Sequence, residues 1–170
     1  MKIVVVSDIH GRGAYLDDVL SKHPDCEGVF FLGDGARDID TDSITGRGLM
    51  FGGVLGNCDP LYVPLGYPFS KELLLSASEY TVMLTHGDLY SVKSGYERAA
   101  LQAYKRGADI LLFGHTHIPV EKYIPSGTLL LDTVTERPLR IMNPGSLREG
   151  SYGILQIKNR QILFSHGTVY

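Results

Sequence analysis

Five short apolar runs in this chain each end in residues that bind metal ions. Ile3-Val4-Val5-Val6 leads into Asp8-Ile9-His10, and Gly28-Val29-Phe30-Phe31-Leu32 into Gly33-Asp34. Phe51-Gly52-Gly53-Val54-Leu55 precedes Gly56-Asn57-Cys58-Asp59. Thr81-Val82-Met83-Leu84 precedes His86-Gly87, and Ile110-Leu111-Leu112-Phe113 precedes Gly114-His115-Thr116-His117. Runs of this length, rich in β-branched residues, read as strands buried on both faces. An open α/β sheet gathers the C-terminal ends of such strands along one edge, where its sites form. Seven side chains, Asp8, His10, Asp34, Asn57, His86, His115 and His117, are thereby expected to converge, enough for two metal ions.

With 170 residues the chain is long enough for a substantial core and is expected to be one domain, 1–170. A hydrophobic share of 44% with 21% charged residues argues against disorder. The net charge is −3 and the basic residues are scattered, which argues against a polyanion-binding surface, so long nucleic acid is not an expected partner. The two cysteines, Cys26 and Cys58, form no disulfide framework and point to a reducing compartment. The opening apolar stretch is too short for a signal peptide, and no run reaches the length of a membrane span. A soluble cytoplasmic protein is the expectation.

The remaining patterning predicts a helix over 14–22, stopped by His23-Pro24, and a loop or short helix over 35–48. Residues 60–68, with three prolines, read as loop. Glu72–Leu75 and Thr81–Thr85 read as a strand pair, and 91–106 as the best helix, stopped at Gly107. Beyond His117 the pattern predicts short strands at 120–124, 129–134, 139–142, 152–157 and 161–165, an antiparallel final third. The fold class expected is α/β, a two-sheet β-sandwich flanked by helices.

Asp8/His10 and His115/His117 are each two residues apart, so in extended chain both members of a pair face one side. Carboxylate, carboxamide and imidazole together suit Mn, Fe, Co, Ni or Zn. A magnesium site would be richer in oxygen, and structural zinc would favour thiolates. Two divalent ions, offset by two aspartates and one hydroxide, leave a residual positive charge that matches a phosphodiester anion.

The ordered set D-x-H, G-D, G-N-C-D, H-G and G-H-T-H resembles the calcineurin-like metallophosphoesterases. With Asn143-Pro144-Gly145-Ser146 and the small size, it is similar to their small bacterial and archaeal phosphodiesterase branch. The resemblance spans nearly the whole chain and implies a helix-flanked β-sandwich. It implies one ion on Asp8, His10, Asp34 and His117, a second on Asp34, Asn57, His86 and His115, and Asp34 as the bridge. It further implies a metal-dependent phosphodiesterase acting on small phosphodiesters through a metal-bridging hydroxide, with Asn57, Cys58 and His86 as catalytic residues. The two ions would be divalent transition metals, manganese first, with nickel, cobalt, iron or zinc as alternatives. Phosphomonoesterase activity on the same core and a non-catalytic scaffold of the retromer-subunit type are the rival functions. Relatives that self-associate suggest a homo-oligomer.

Many relatives carry His where this chain has Cys58. A thiol is a poor general acid beside imidazole, so activated esters such as aryl esters are expected to be favoured. Cys58 as a nucleophile is disfavoured, because Pro64 stands where the cysteine-phosphatase C-x5-R pattern needs arginine.

Blander roles compete residue by residue. Asp8 has the makings of a helix cap, Asp34 and Asn57 of turn residues, and His86 of a core histidine. Asp59 reads as turn chemistry or as an orienter behind the ligands. His23 and His166 read as structural. Asp38, Asp40 and Asp42 imitate a calcium loop, but Ser43 and Leu49 replace its glycine and glutamate. Arg37 and Arg148 are weak candidates for substrate contact. Tyr62, Tyr67 and Phe69 read first as packing residues and second as a groove lining.

Overall fold

The computed structural model describes residues 1–60 and 69–170. Strands β1 (Lys2–Val6), β2 (Gly28–Phe31), β3 (Met50–Val54) and β4 (Phe69–Ser70) run parallel, with helices α1 (Ala14–Lys22) and α2 (Thr41–Gly46) between them. The hairpin β5 (Glu72–Ala77) and β6 (Tyr80–Thr85) turns at Ser78-Glu79. Helix α3 (Glu97–Lys105) leads into β7 (Ile110–Phe113) and β8 (Val120–Ile124). Then come β9 (Leu129–Leu130), β10 (Thr133–Val134), β11 (Leu139–Asn143), β12 (Ser151–Lys158) and β13 (Gln161–Thr168).

Two mixed sheets result, in the orders β13-β12-β1-β2-β3-β4 and β5-β6-β7-β11-β8. Period-two alternation in the buried strands divides their side chains between two layers. Ile3 and Val5 of β1 and Phe30 of β2 meet Val82, Leu84, Ile110 and Leu112 in the layer between the sheets. Val4, Val6, Val29 and Phe31 point outward onto Leu16, Val19 and Leu20 of α1 and Ile44 of α2. On the other side Met83, Leu111 and Phe113 pack against Ala99, Ala100 and Ala103 of α3. The architecture is the expected helix–sheet–sheet–helix stack, and at about 25 cal/mol per Å2 such burial is its main stabilising term.

Three expectations need correction. The helix predicted over 91–106 begins at Glu97; a 3-10 turn, Val92–Ser94, precedes it. Ser91 and Gly95 sit at φ +54° and +142°, outside helical space, and break the run. The strand predicted over 129–134 is a two-by-two hairpin, folded back through Leu131 at φ +57°. The final third is not wholly antiparallel: β11 enters the second sheet parallel to β7, pairing Arg140–Met142 with Ile110–Leu112. Leu139, Ile141 and Met142 are fully buried there, which suits a central strand. Tyr62, Pro64 and Tyr67, and all but Pro60 of the loop predicted over 60–68, lie outside the described residues. Phe69 packs edge-on against Phe31 and Phe51, the packing role expected of it. No helix among the described residues is long and apolar enough to cross a membrane.

Candidate metal centre

The loops after β1, β2, β3, β6 and β7 meet at one edge of the sandwich and bring all seven expected side chains together. His86 is fully buried at the middle of one cluster. Its Nε2 lies 3.2 Å from Asn57 Oδ1, 3.1 Å from His115 Nδ1 and 3.4 Å from Asp34 Oδ2. The other His86 nitrogen, Nδ1, is 2.7 Å from Leu32 O. A carbonyl only accepts, so Nδ1 carries the proton and Nε2 is left for a cation.

Around the second cluster, Asp8 Oδ1 lies 3.0 Å from His117 Nε2 and 3.9 Å from His10 Nε2, and His10 Nε2 lies 3.8 Å from Asp34 Oδ2. His117 Nδ1 faces Glu149 Oε1 at 3.5 Å, which orients the ring. Asp8, His10 and His117 form one potential ion-holding group and Asp34, His86 and His115 another. Cys58 lies within reach of His10 and Asp34 in a third combination.

The donor set fits divalent cations. Asp8 Oδ1 is buried and has no hydrogen-bond partner among the described residues. Asn57 Oδ1, Asp34 Oδ2 and the bare His86 Nε2 are acceptors facing one another, an arrangement that needs a proton or a cation between them. Bonds of about 2.0–2.2 Å to a zinc-like ion set neighbouring ligand atoms about 2.8–3.6 Å apart. The separations around His86 fall inside that range; those around His10 are slightly wider.

Asp34 joins the clusters. Its Oδ1 accepts the Cys58 N–H at 2.7 Å, leaving Oδ2 facing both His10 and His86. Burial opposes its charge, but with no cation between them a second proton on His86 Nε2, together with the Cys58 N–H, outweighs burial and holds the carboxyl well below the usual range. His86 is the complement: burial lowers it, yet the Asp34 contact and the Asp8 and Asp34 charges raise its affinity for a proton. His115 is lowered by burial and by His86 and Lys93. The Cys58 thiol is pushed up by burial and by Asp34, so it stays protonated.

Local backbone geometry differs from the extended pairs expected. Asp8, His10, Asp34, His115 and His117 all have φ between +44° and +67°. Five non-glycine residues in the left-handed region, each costing roughly 1–3 kcal/mol, must be held there by their surroundings. Tight turns rather than strands therefore aim the pairs, and His115 and His117 diverge into different clusters. Asp8 is no helix cap; its Oδ2 accepts from Ser7 Oγ at 2.6 Å and from His115 N at 3.0 Å.

Groups behind the ligands hold the loops in place, and Asp59 takes the orienting role offered for it. Asp59 accepts the backbone N–H groups of Asp34, Gly35, Ala36 and Gly56, all at 2.8–2.9 Å. Asn143 Nδ2 donates to Gly114 O and Thr116 Oγ1, while Ser146 Oγ donates to Asp8 O. The Asn-Pro-Gly-Ser turn thus pins the first and last ligand loops together. His23 bonds Tyr152 and His166 bonds Asn143 O, both away from the ligand clusters. Asp38 and Asp40 accept Gly11 N and Ser43 N, consistent with loop and cap roles. Arg37 and Arg148 are exposed.

Residues 1–160 match the family model for the calcineurin-like phosphoesterase superfamily domain. The probable metallophosphoesterase YsnB of Bacillus subtilis (strain 168) is 29% identical over 160 residues, covering 94% of this chain and 86% of that protein. A predicted phosphoesterase of Streptococcus pneumoniae TIGR4 superposes with a TM-score of 0.71 at 25% identity, covering 99% of this chain and 89% of the other. Vps29 of Entamoeba histolytica shares the fold, with a TM-score of 0.67, 18% identity and 99% of each chain covered. Sequence, topology and the paired ligand clusters agree: the chain belongs to the calcineurin-like phosphoesterase superfamily.

Proposed function

We propose that this protein is a phosphodiesterase of the small bacterial and archaeal type, acting on small phosphodiesters with activated leaving groups in a reducing, cytoplasmic compartment. The observation that carries the reading is the shared Asp34 carboxylate, with one oxygen tied to Cys58 N and the other facing both ligand clusters. Asp8, His10, Asp34 and His117 would hold one divalent ion, and Asp34, Asn57, His86 and His115 the other. Such a pair, when bound, acidifies water, polarises the ester and stabilises attacking and leaving oxygens. Imidazole and carboxamide ligands favour manganese or a neighbouring transition metal.

The chain's own groups prepare the site for this. Leu32 O fixes the His86 tautomer, and Asp59 holds the Asp34 turn rigid before any substrate arrives. Glu149 beside His117 limits the excess positive charge, which suits a singly charged diester better than a doubly charged monoester. The exposed Cys58 keeps its proton, so it donates a weak hydrogen bond at the site rather than attacking phosphorus. Retention of the complete ligand set favours chemistry over a purely scaffolding role.

Chelator-stripped protein, reloaded separately with Mn, Ni, Co or Zn, provides the test. Aryl phosphodiester turnover is expected to return and to exceed turnover of the matching monoester. Preference for the monoester would overturn the diesterase assignment. No turnover of either with full metal uptake would favour the scaffold.

A further inference from the structure

We infer that Lys71 is a positioning residue for the second ion site, a role that rests on the dinuclear reading above. Lys71 is the residue at which the chain leaves one sheet and enters the other, between β4 (Phe69–Ser70) and β5 (Glu72–Ala77). Its ammonium donates to Gly56 O at 2.9 Å and lies 3.9 Å from Asp88 Oδ2. Gly56 precedes the ligand Asn57 and belongs to the first sheet's loops. Asp88 follows His86 by two residues and opens the 3-10 turn Asp88–Tyr90 of the second sheet. The next residue, Glu72, takes the other end of that turn through Tyr90 Oη and also binds Arg106 at 2.9 Å.

Asn57 and His86 come from different sheets, yet their ligand atoms stand 3.2 Å apart. Packing between sheets is non-directional and does not fix such a distance by itself. A cation hydrogen-bonded to one loop and ion-paired with the other does, because it resists the two sliding apart. The side chain of Asp88 is 19% exposed and that of Lys71 37%, so the pair is half-buried and only partly screened by solvent. Among the described residues, the hydrogen bond and ion pair of Lys71 go to Gly56 and Asp88, neither of them an ion ligand or a member of the Asp8, His10 and His117 cluster. Its effect therefore falls first on the site of Asn57, His86 and His115, and reaches the other ion only through the shared Asp34, against which Gly56 packs.

The test is calorimetric titration of metal-free protein with Mn2+ alone, for wild type, Lys71→Met, Lys71→Arg and Asp88→Asn. Asn57→Ala and His117→Ala identify which binding phase belongs to which site. Lys71→Met is expected to weaken the second ion about 10- to 100-fold, the usual loss for a residue supporting ligands from behind, with a clearly smaller loss at the first. Lys71→Arg, which can still donate to the carbonyl, is expected to stay within about threefold of wild type. Asp88→Asn is expected to fall between them and serves if Lys71→Met does not fold.

Unchanged affinity at both sites, or equal loss at both, would overturn the role. A rise in KM for an aryl phosphodiester with both ion affinities intact would also overturn it, making Lys71 a substrate contact instead. A wild-type protein that binds fewer than two ions would sink the dinuclear reading itself, which separates the two failures.

Discussion

Asp59 and Asp34 form a carboxylate-to-backbone clasp: Asp59 Oδ2 accepts the Asp34 N–H at 2.8 Å, while the same carboxylate collects the N–H groups of Gly35, Ala36 and Gly56. Four donors aimed at one anion form a nest that holds Asp34 in its left-handed turn. Asp59→Ala should leave those donors to water or unpaired and cost about 2 kcal/mol in urea unfolding. Metal uptake should fall with it, since the bridging side chain loses its anchor. Unfolding curves and ion stoichiometry that both match wild type would contradict this.

Gly56 is required by contact rather than by conformation. A Cβ placed on it would stand 2.0 Å from Asp34 Oδ1, well inside van der Waals contact. Gly56→Ala is expected to displace the Asp34 carboxylate and abolish uptake of at least one ion. Elemental analysis of the purified variant reads this directly, and two ions per chain would refute it.

Metal-free protein should carry a pH signature of the Asp34–His86 pair. His86 is raised in the folded state, so its contribution is complete below about pH 6.5 and is lost as pH climbs through its folded value. Asp34 is depressed, so its contribution holds above about pH 3.9 and is lost as pH falls through its folded value. The thermal midpoint of the metal-free protein should therefore decline above about pH 6.5. Saturating Mn2+ should remove that decline, and Mn2+ affinity should rise with pH as the His86 proton is displaced. A His86→Gln variant with the same decline would show that another group is responsible.

Cys58 is exposed and its thiol is held protonated beside Asp34. Cys58→Ser should keep most metal-dependent turnover, within about threefold, because no thiolate is needed. Rates across a series of aryl diesters should fall steeply as leaving-group pKa rises, since the thiol is a weak proton donor. Loss of nearly all activity in Cys58→Ser would restore a covalent role.

Much of the molecule is legible in the chain because burial on both faces writes long apolar runs. β1, β2 and β7 read directly from Ile3–Val6, Gly28–Leu32 and Ile110–Phe113, and α1 from the spacing of Leu16, Val19 and Leu20. The helix expected from Ser91 began later because its first turn follows left-handed Ser91 and contains a sharp bend at Gly95, signals too local for periodicity to weigh. The place of β11 between β7 and β8 is a matter of pairing partners, which apolar pattern does not encode. Asp59 reads in the sequence as a turn residue or an orienter, and local pattern does not choose between them because three of its four backbone partners lie 23 to 25 positions away.

By itself the sequence determined which residues end each buried strand, and hence the chemical identity of the ligand set, because strand length and side-chain type are local properties. The family resemblance already implies how those groups divide, but only the tertiary structure supplies the geometry that brings His115 to His86 and His117 to Asp8 with Asp34 between them. That geometry depends on left-handed turns, backbone clasps from Asp59 and Ser146, and the join between sheets at Lys71. All of these are contacts between distant segments, whose geometry exists only once the two sheets have packed.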